Sequence, residues 1–545
     1  METNTADLDQ LTNDTSSFIT DEDDRLTMDD LVEKLIGGRT WKYTILLLSL
    51  NFMWLAKPSH LYISVFAGMD PSPGHSWTCV SQRCEDLINE NSSLSEMFPC
   101  FTSEEKDGTQ TLLLQNVDIE WDLNRTSFSV EFDLYCNVGS TRTKKTLVSS
   151  IFFAGALTGL FLGGFMFDHI GRKKTATFGY IVLASAVFCG TLCHNYGFLL
   201  AIRYFQGIGD ILLSTGMTIL SLELTPARFR NYIVGFFGVC LAFGFPIATG
   251  LHYFIPDWNF NFLGASVLVA IFSAPVFTCI ESPRFYLINK DFKSARRSLK
   301  ALASLSTSDF EFDKMDLENL LSVTDKMREQ TLKQQLMDLR DNPTLLCETL
   351  VMMFLWFCGG LFFFGFNFGW AAILPNIYQG YLLAGVGQLL SAVVSVPLIA
   401  HLGRRRAMMT GFLGAGLFYL LAIPEVGLGG QWTLEMVSCL IGFVFVSGCF
   451  GGVCLWTGEL APTSHRGIVV CACFSASRIG SFLGPYIFNN LAPVTYKAVP
   501  LGGLAFLSVL CAAGSFLLVE TGDKKICLTG EDVVVRRKKY FRYMI

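Results

Sequence analysis

Apolar positions along this chain fall in long runs rather than alternating with polar ones, and each run approaches the ~20 residues a helix needs to cross a bilayer. Twelve such runs are predicted as helices, at 43–66, 147–168, 175–194, 197–220, 231–253, 261–280, 344–367, 376–400, 407–424, 433–457, 467–490 and 500–519. In the eleventh, Arg478, Gly480, Gly484 and Pro485 predict an interruption. The pattern divides the chain into a polar N-terminal segment 1–42, a half 43–280, a linker 281–343, a half 344–519 and a tail 520–545. The fold expected is an all-α membrane protein of 12 transmembrane helices in two six-helix halves, with a loop domain at 67–142.

Two polar signatures between the runs occur twice. Asp168, Gly171, Arg172, Lys173 and Lys174 end one run, and Gly403, Arg404, Arg405 and Arg406 end another, 232 residues after Gly171. Glu223-Leu-Thr-Pro226-Ala-Arg-Phe-Arg230 is echoed by Glu459-Leu-Ala-Pro462-Thr-Ser-His-Arg466, 236 residues on. Repetition at mid-length implies two related membrane halves, an architecture suited to rocking about a central site. Glycine permits the tight turn, and Glu223, Arg230, Glu459 and Arg466 can pair with the basic turns. Such contacts can hold a gate in one state and release it in another, or simply anchor loops. Ala400 stands where the second turn lacks its Asp.

Composition agrees with lipid as the solvent: 51% of the 545 residues are hydrophobic and 16% charged, with 48 Phe. The acidic stretch Asp21 to Asp24 and the absence of an apolar core before residue 35 argue against a cleavable signal peptide. Arg172 to Lys174, Arg228, Arg230, Arg284 to Lys300, Arg404 to Arg406 and Arg466 all fall on one side, which the positive-inside rule makes cytoplasmic together with both termini. The 67–142 loop is then extracellular, and its Cys79, Cys84, Cys100 and Cys136 allow two disulfides in any of three pairings. Asn91 and Asn124 lie in glycosylation sequons there. In the linker, Phe292, Ala295, Leu299 and Leu302 recur at helical spacing beside Lys293, Arg296, Arg297 and Lys300, so this helix either lies on the anionic inner leaflet or caps the bundle.

Charge at bilayer depth is costly and marks a transport path or a structural pair. Arg478 in the eleventh run, and Asp210 in the fourth, seven residues after Arg203, are such charges. Lys57 is read as snorkelling outward and His60 as a packed histidine or a proton acceptor.

The Gly164-to-Lys174 turn and Arg203-x-x-Gln206-Gly207-x-Gly209 resemble signatures of the major facilitator superfamily. Met28-Asp-Asp-Leu-Val, Glu281-Ser-Pro-Arg284-Phe-Tyr-Leu, the cysteine-bearing loop and Ala476-Ser-Arg478-Ile-Gly-Ser-x-x-x-Pro485-Tyr resemble its organic cation, anion and zwitterion transporters. The resemblance implies alternating access around a cavity, with Arg478 the contact for a carboxylate and Trp356, Phe363 and Cys454 among the cavity positions. Gln388 stands where that family commonly has an acid, and Phe363 and Phe364 replace tyrosines. Asp210 is then read as pairing with Arg478 in the empty carrier, or as receiving a substrate's cationic group. Arg203 is grouped with these residues because it shares a face with Asp210.

No Gly-rich Lys-Ser/Thr phosphate loop and no Cys-x-x-Cys or His-x-x-x-His cluster is found, so no cofactor, no metal and no enzymatic chemistry is expected. The partners expected are a small organic ion and the lipid bilayer, with no nucleic acid. The function expected is transport of organic anions or zwitterions across the plasma membrane, as facilitator or exchanger. An organic cation carrier and a non-transporting receptor on a carrier scaffold are the alternatives.

Overall fold

Each of the twelve predicted runs is helical in the computed structural model, which describes residues 32, 41–69, 77–79, 119–121, 126–134, 139–226, 229–305, 332–373, 376–424, 427–429, 432–462, 465–488, 498–521 and 530–542. Among them, ten helices are long and apolar enough to cross a membrane. The ninth, Arg404–Leu421, misses that criterion because Arg404, Arg405 and Arg406 open an 18-residue helix. The first misses it because it is broken into Trp41–Leu50, Met53–Leu61 and Ile63–Phe66.

The interruption therefore falls in the first span and not in the eleventh. Arg466–Tyr486 is continuous, with Pro485 in its last turn, where it is tolerated. Its Gly480 serves close packing: a Cβ there would collide with the carbonyl of Phe357 on the seventh span, Pro343–Ile373. In the first span the carbonyls freed at Tyr62 are taken instead by a side chain, that of Arg203.

The two ends of the bundle are capped differently. At the end away from the Gly-Arg turns, descending helices start on their own polar side chains. Asn195 caps Tyr196–Glu223, Asp257 caps Trp258–Ser273, Asn376 caps Ile377–Leu402 and Thr433 caps Leu434–Leu460. At the turn end, Gly171 (φ 109°) and Gly403 (φ 80°) precede Arg172–Cys189 and Arg404–Leu421 and supply no side-chain cap.

Spans one to six and seven to twelve pack as two groups. The second span (Gly139–His169) and fourth pack together in the first half, and the seventh and eleventh in the second. The halves meet where the second span lies on the eleventh and the fifth, Arg230–Phe254, lies on the eighth. All ring contacts between halves among the described residues lie away from the turn end. There Tyr62 meets Phe368 and Tyr381 at 5.1 and 5.2 Å between centroids, and Phe153 meets Phe364 at 4.8 Å. These rings belong to one buried apolar core with the second half.

The linker helix Phe292–Ala303 buries Ala295, Leu299, Leu302 and Ala303 in the core of the first half. It thus caps the bundle with its apolar face, and Lys293, Arg297 and Lys300 stay exposed. A C-terminal helix, Gly530–Arg542, docks Val533 against Leu345, and its Arg536 reaches buried Glu348 at 3.3 Å. Two short antiparallel ribbons complete the structure, Trp77–Cys79 with Ile119–Trp121 and Gly427–Gly429 with Trp432–Thr433. Cys84, Cys100, Cys136, Asn91 and Asn124 lie outside the described residues, as does the Cys79 side chain, so the expected disulfides and glycans do too.

Candidate functional site

Buried charge at mid-depth gathers on the first and fourth spans. Lys57 Nζ sits 2.8 Å from Asp210 Oδ2 and 3.0 Å from Oδ1, and His60 Nε2 lies 3.2 Å from Oδ1. Lys57 and His60 are three residues apart, so the helix presents both toward the fourth span. The outward snorkel expected of Lys57 is thus not adopted. An isolated carboxylate at this depth would be strongly destabilised, and the ammonium compensates it. Lys57 Nζ also stands 4.7 Å over the Trp54 ring.

The expected Asp210–Arg478 pair is replaced by this one, because the carboxylate is already committed to Lys57 and His60. Arg478 still lies in the electrostatic reach of both Lys57 and Asp210.

Arg203 is fully buried. It donates to the carbonyls of Val148, His60 and Leu61 and to Gln206 Oε1, at 3.2, 2.7, 2.9 and 2.7 Å, with its guanidinium 5.0 Å from the Phe152 ring centre. Its hydrogen bonds hold the kink of the first span on the second and fourth, so Arg203 positions Lys57 and His60 rather than facing the cavity.

Arg478 differs from it. It is only part-buried, its Nε has no hydrogen-bond partner among the described residues, and its guanidinium stands 5.9 Å from the Phe364 ring centre. One turn further along, the Phe482 carbonyl accepts a 2.9 Å bond from Ser150 of the second span, which turns this side of the helix toward the first half. On the tenth span, Leu434–Leu460, Cys454 is exposed although it lies deep in the bundle, and Gly451 and Gly458 on the same face meet nothing within 4 Å of a built Cβ. An open face at that depth borders a vestibule. Gln388 is buried with Oε1 unpartnered.

The aromatic candidates are buried. Trp356 donates its indole N–H to Thr457 Oγ1 at 2.8 Å and packs on Phe474 and Phe450, with centroids at 4.6 and 5.5 Å. Phe363 stacks on Phe443 and Phe450. Both form a wall behind the vestibule.

At the turn end each repeat closes a network inside its own half. Arg172 Nε lies 3.5 Å from Glu223 Oε2 and its Nη2 3.9 Å from Asp168. Glu281 Oε1 accepts the backbone N–H of Arg172, Lys173 and Ser282 at 3.0, 3.0 and 3.1 Å, supplying the cap that Gly171 lacks. In the second half, Arg404 pairs with Glu459 through two bonds of 3.0 and 2.8 Å, and Glu520 caps Arg404 and Arg405 at 2.9 and 3.0 Å. Arg230 Nε donates to the Leu222 carbonyl, while Nε and Nη2 of Arg466 have no partner among the described residues. Arg284, two residues after Ser282, is part-buried. Glu223 and Glu459 thus pair with the basic turns as expected, and Arg466 does not pair with Glu459. The second network stands without the missing Asp, because Arg404 reaches Glu459 bidentately and Thr521 also donates to it.

Glu520 was not among the sequence candidates. A third repeat marked it: Ile280-Glu281-Ser282 recurs as Val519-Glu520-Thr521. A Cβ on Gly171 would lie 2.6 Å from Glu281 Oε2, besides straining a backbone at φ 109°. Gly171→Ala is therefore expected to lower stability by about 1–3 kcal/mol. Thermal unfolding of the purified protein checks this, with exposed Gly164, where a Cβ meets nothing within 4 Å, as the control for Gly→Ala.

Comparison with known proteins gives the same reading of the fold. A model of the sugar (and other) transporter family matches residues 101–521. The chain is 26% identical over 416 residues to organic anion transporter 3 of Pongo abelii, covering 76% of each. It is 26% identical over 415 residues to solute carrier family 22 member 6 of Mus musculus, covering 75% of this chain and 74% of that protein. Among solved structures, the major facilitator superfamily proton:xylose symporter XylE bound to 6-bromo-6-deoxy-D-glucose aligns with TM-score 0.59 at 14% identity, covering 91% of this chain and 98% of that one. The inward open xylose transporter XylE from E. coli aligns with TM-score 0.57 at 14% identity, over 91% and 99%.

Proposed function

The chain belongs to the sugar (and other) transporter family, and on that premise we propose that it moves small carboxylate-bearing organic anions across the plasma membrane by alternating access. The observation that carries this reading is Arg478, a guanidinium at mid-depth with an unpartnered Nε on a face turned to the other half. A guanidinium offers a carboxylate two parallel N–H donors and stays charged throughout the cycle. The local charge favours an anion as well. Arg203, Lys57 and Arg478 contribute three cations against the single carboxylate of Asp210, the only described acid at that depth.

A cation carrier needs an acid free to receive its substrate, and both Asp210 oxygens are occupied by Lys57 and His60. Gln388 brings no charge. A zwitterion requires Lys57 to leave Asp210 when the substrate's ammonium arrives. The names of the relatives, organic anion transporters, support the anion reading.

The state captured is read as open toward the cytoplasm. The halves are sealed by Tyr62, Phe66, Phe153, Phe368 and Tyr381 at one end, while the turn-end networks each stay within one half. Basic residues concentrated at the turn end support a cytoplasmic assignment of that end and of both termini. Opening the aromatic seal and closing the turn ends would complete the exchange of access.

The test is radiolabelled uptake into oocytes expressing the full chain, against water-injected controls. A panel of carboxylates, quaternary ammonium cations and zwitterions is used at equal concentration. Saturable uptake of carboxylates above cations is expected. Uptake confined to cations sinks the anion reading, and binding without uptake of anything supports a receptor.

A further inference from the structure

Beside the turn end of the third and sixth spans lies a cavity of about 520 Å³ that the transport path does not use. Lys173, Lys174 and Arg297 line it, together with the hydroxyl-bearing Tyr286 and Ser298. We propose that this cavity binds a phosphate-bearing anion, supplied by the headgroup of a lipid in the adjacent leaflet.

Its charge supports that assignment. The side chains of Lys173, Lys174 and Arg297 have no carboxylate partner among the described residues. Glu281 lines the same cavity, but its oxygens accept the N–H groups of Arg172, Lys173 and Ser282 and so compensate the start of the third span. Asp291 accepts the Ser294 N–H at the start of the linker helix. Three cations therefore face one shared and one peripheral acid. The Tyr286 hydroxyl adds a hydrogen-bond donor, since a phenol is protonated at neutral pH.

The position selects a lipid over a solute. Cys279 and Ile280 of the lining directly follow Thr278, where the sixth span ends, and Lys173 and Lys174 begin the third. The cavity is thus at the height of headgroups. Phe178 and Ile181 on the third span and Ile271 and Phe277 on the sixth are exposed beside it, a surface suited to acyl chains. Cations clustered at that height attract anionic headgroups, and more than one phosphate can be shared among three of them. Because the linker helix forms one wall, an occupied cavity would fasten the linker to the first half.

The test uses the full chain purified in detergent and a soluble dioctanoyl phosphatidylinositol bisphosphate, with inorganic phosphate as the second arm. Saturable binding of the lipid is expected, weakened about 100-fold by combined Lys173→Gln, Lys174→Gln and Arg297→Gln and unchanged by exposed Lys293→Gln. Thermal unfolding verifies that the triple variant folds, and Arg297→Lys alone should retain most of the binding. Inorganic phosphate that competes only at far higher concentration assigns the site to the lipid headgroup. Phosphate binding as tightly as the lipid, and lost in the same triple variant, keeps the phosphate site but overturns the lipid as its source. Lipid binding equal in wild type and triple variant, or no binding of either probe, overturns the proposal.

Discussion

Arg478→Ala is expected to reduce carboxylate uptake about 30- to 160-fold in kcat/KM at equal surface expression. The figure is the loss of a charge-assisted, two-pronged hydrogen bond, worth about 2–3 kcal/mol. Two features make the site sensitive. The guanidinium stands beside the Phe364 ring and against no carboxylate among the described residues, so its charge is available to a ligand. Removing it also leaves only cations that are already engaged, Lys57 with Asp210 and Arg203 with backbone carbonyls and Gln206. Arg478→Lys should restore part of the activity, because the charge returns and the fork does not. If Arg478→Ala carried carboxylates like the wild type, the anion site would have to lie elsewhere, and the vestibule face of Cys454 would be the next place to search.

The bundle was legible in the sequence because lipid imposes a coarse rule. A run of apolar residues near bilayer length can satisfy its backbone only as a helix, so length and composition alone located all twelve runs. The misplaced interruption shows where that rule stops. Gly480 and Gly484 read as breakers by propensity, yet they lie in a continuous helix that presses against the seventh span. The actual break, in the first span, depends on Arg203 of the fourth span donating to the His60 and Leu61 carbonyls 143 and 142 residues away. Local signals carry no record of such a contact.

The site was legible in its members and not in their pairing. Arg478 and Asp210 stand out as charges in apolar runs, and both are deep in the bundle. Lys57 looks like a snorkelling side chain in the sequence because periodicity cannot say which neighbouring helix faces position 57. Trp356 shows the reverse error of emphasis: an aromatic at a cavity position is withdrawn from it by a bond to Thr457. At the turn end, the pairing of Arg172 with Glu223 and of Arg404 with Glu459 follows from the repeat itself, since equal spacing places equal partners at equal heights. Glu520 follows from it too, once the repeat is extended past the last span.

Asp210→Asn is expected to destabilise the protein by about 3–5 kcal/mol, the cost of leaving a buried charge without its partner. The carboxylate accepts two bonds from Lys57 and one from His60, with Arg203 on the same helix. Its loss strands the ammonium beside two guanidinium groups in a region that has no other described acid. Lys57→Met alone should be costly for the converse reason. Combined Lys57→Met and Asp210→Asn should recover most of the stability, because the pair is removed whole and the methionine keeps the packing on Trp54. Thermal unfolding of the three variants in detergent measures the coupling. Additive losses would mean that the pair is incidental to folding. Uptake then separates structure from transport: a stable double variant that carries simple anions but not zwitterions would place the Lys57–Asp210 pair at the substrate's ammonium. A double variant that carries both equally well would confine the pair to holding the first span on the fourth.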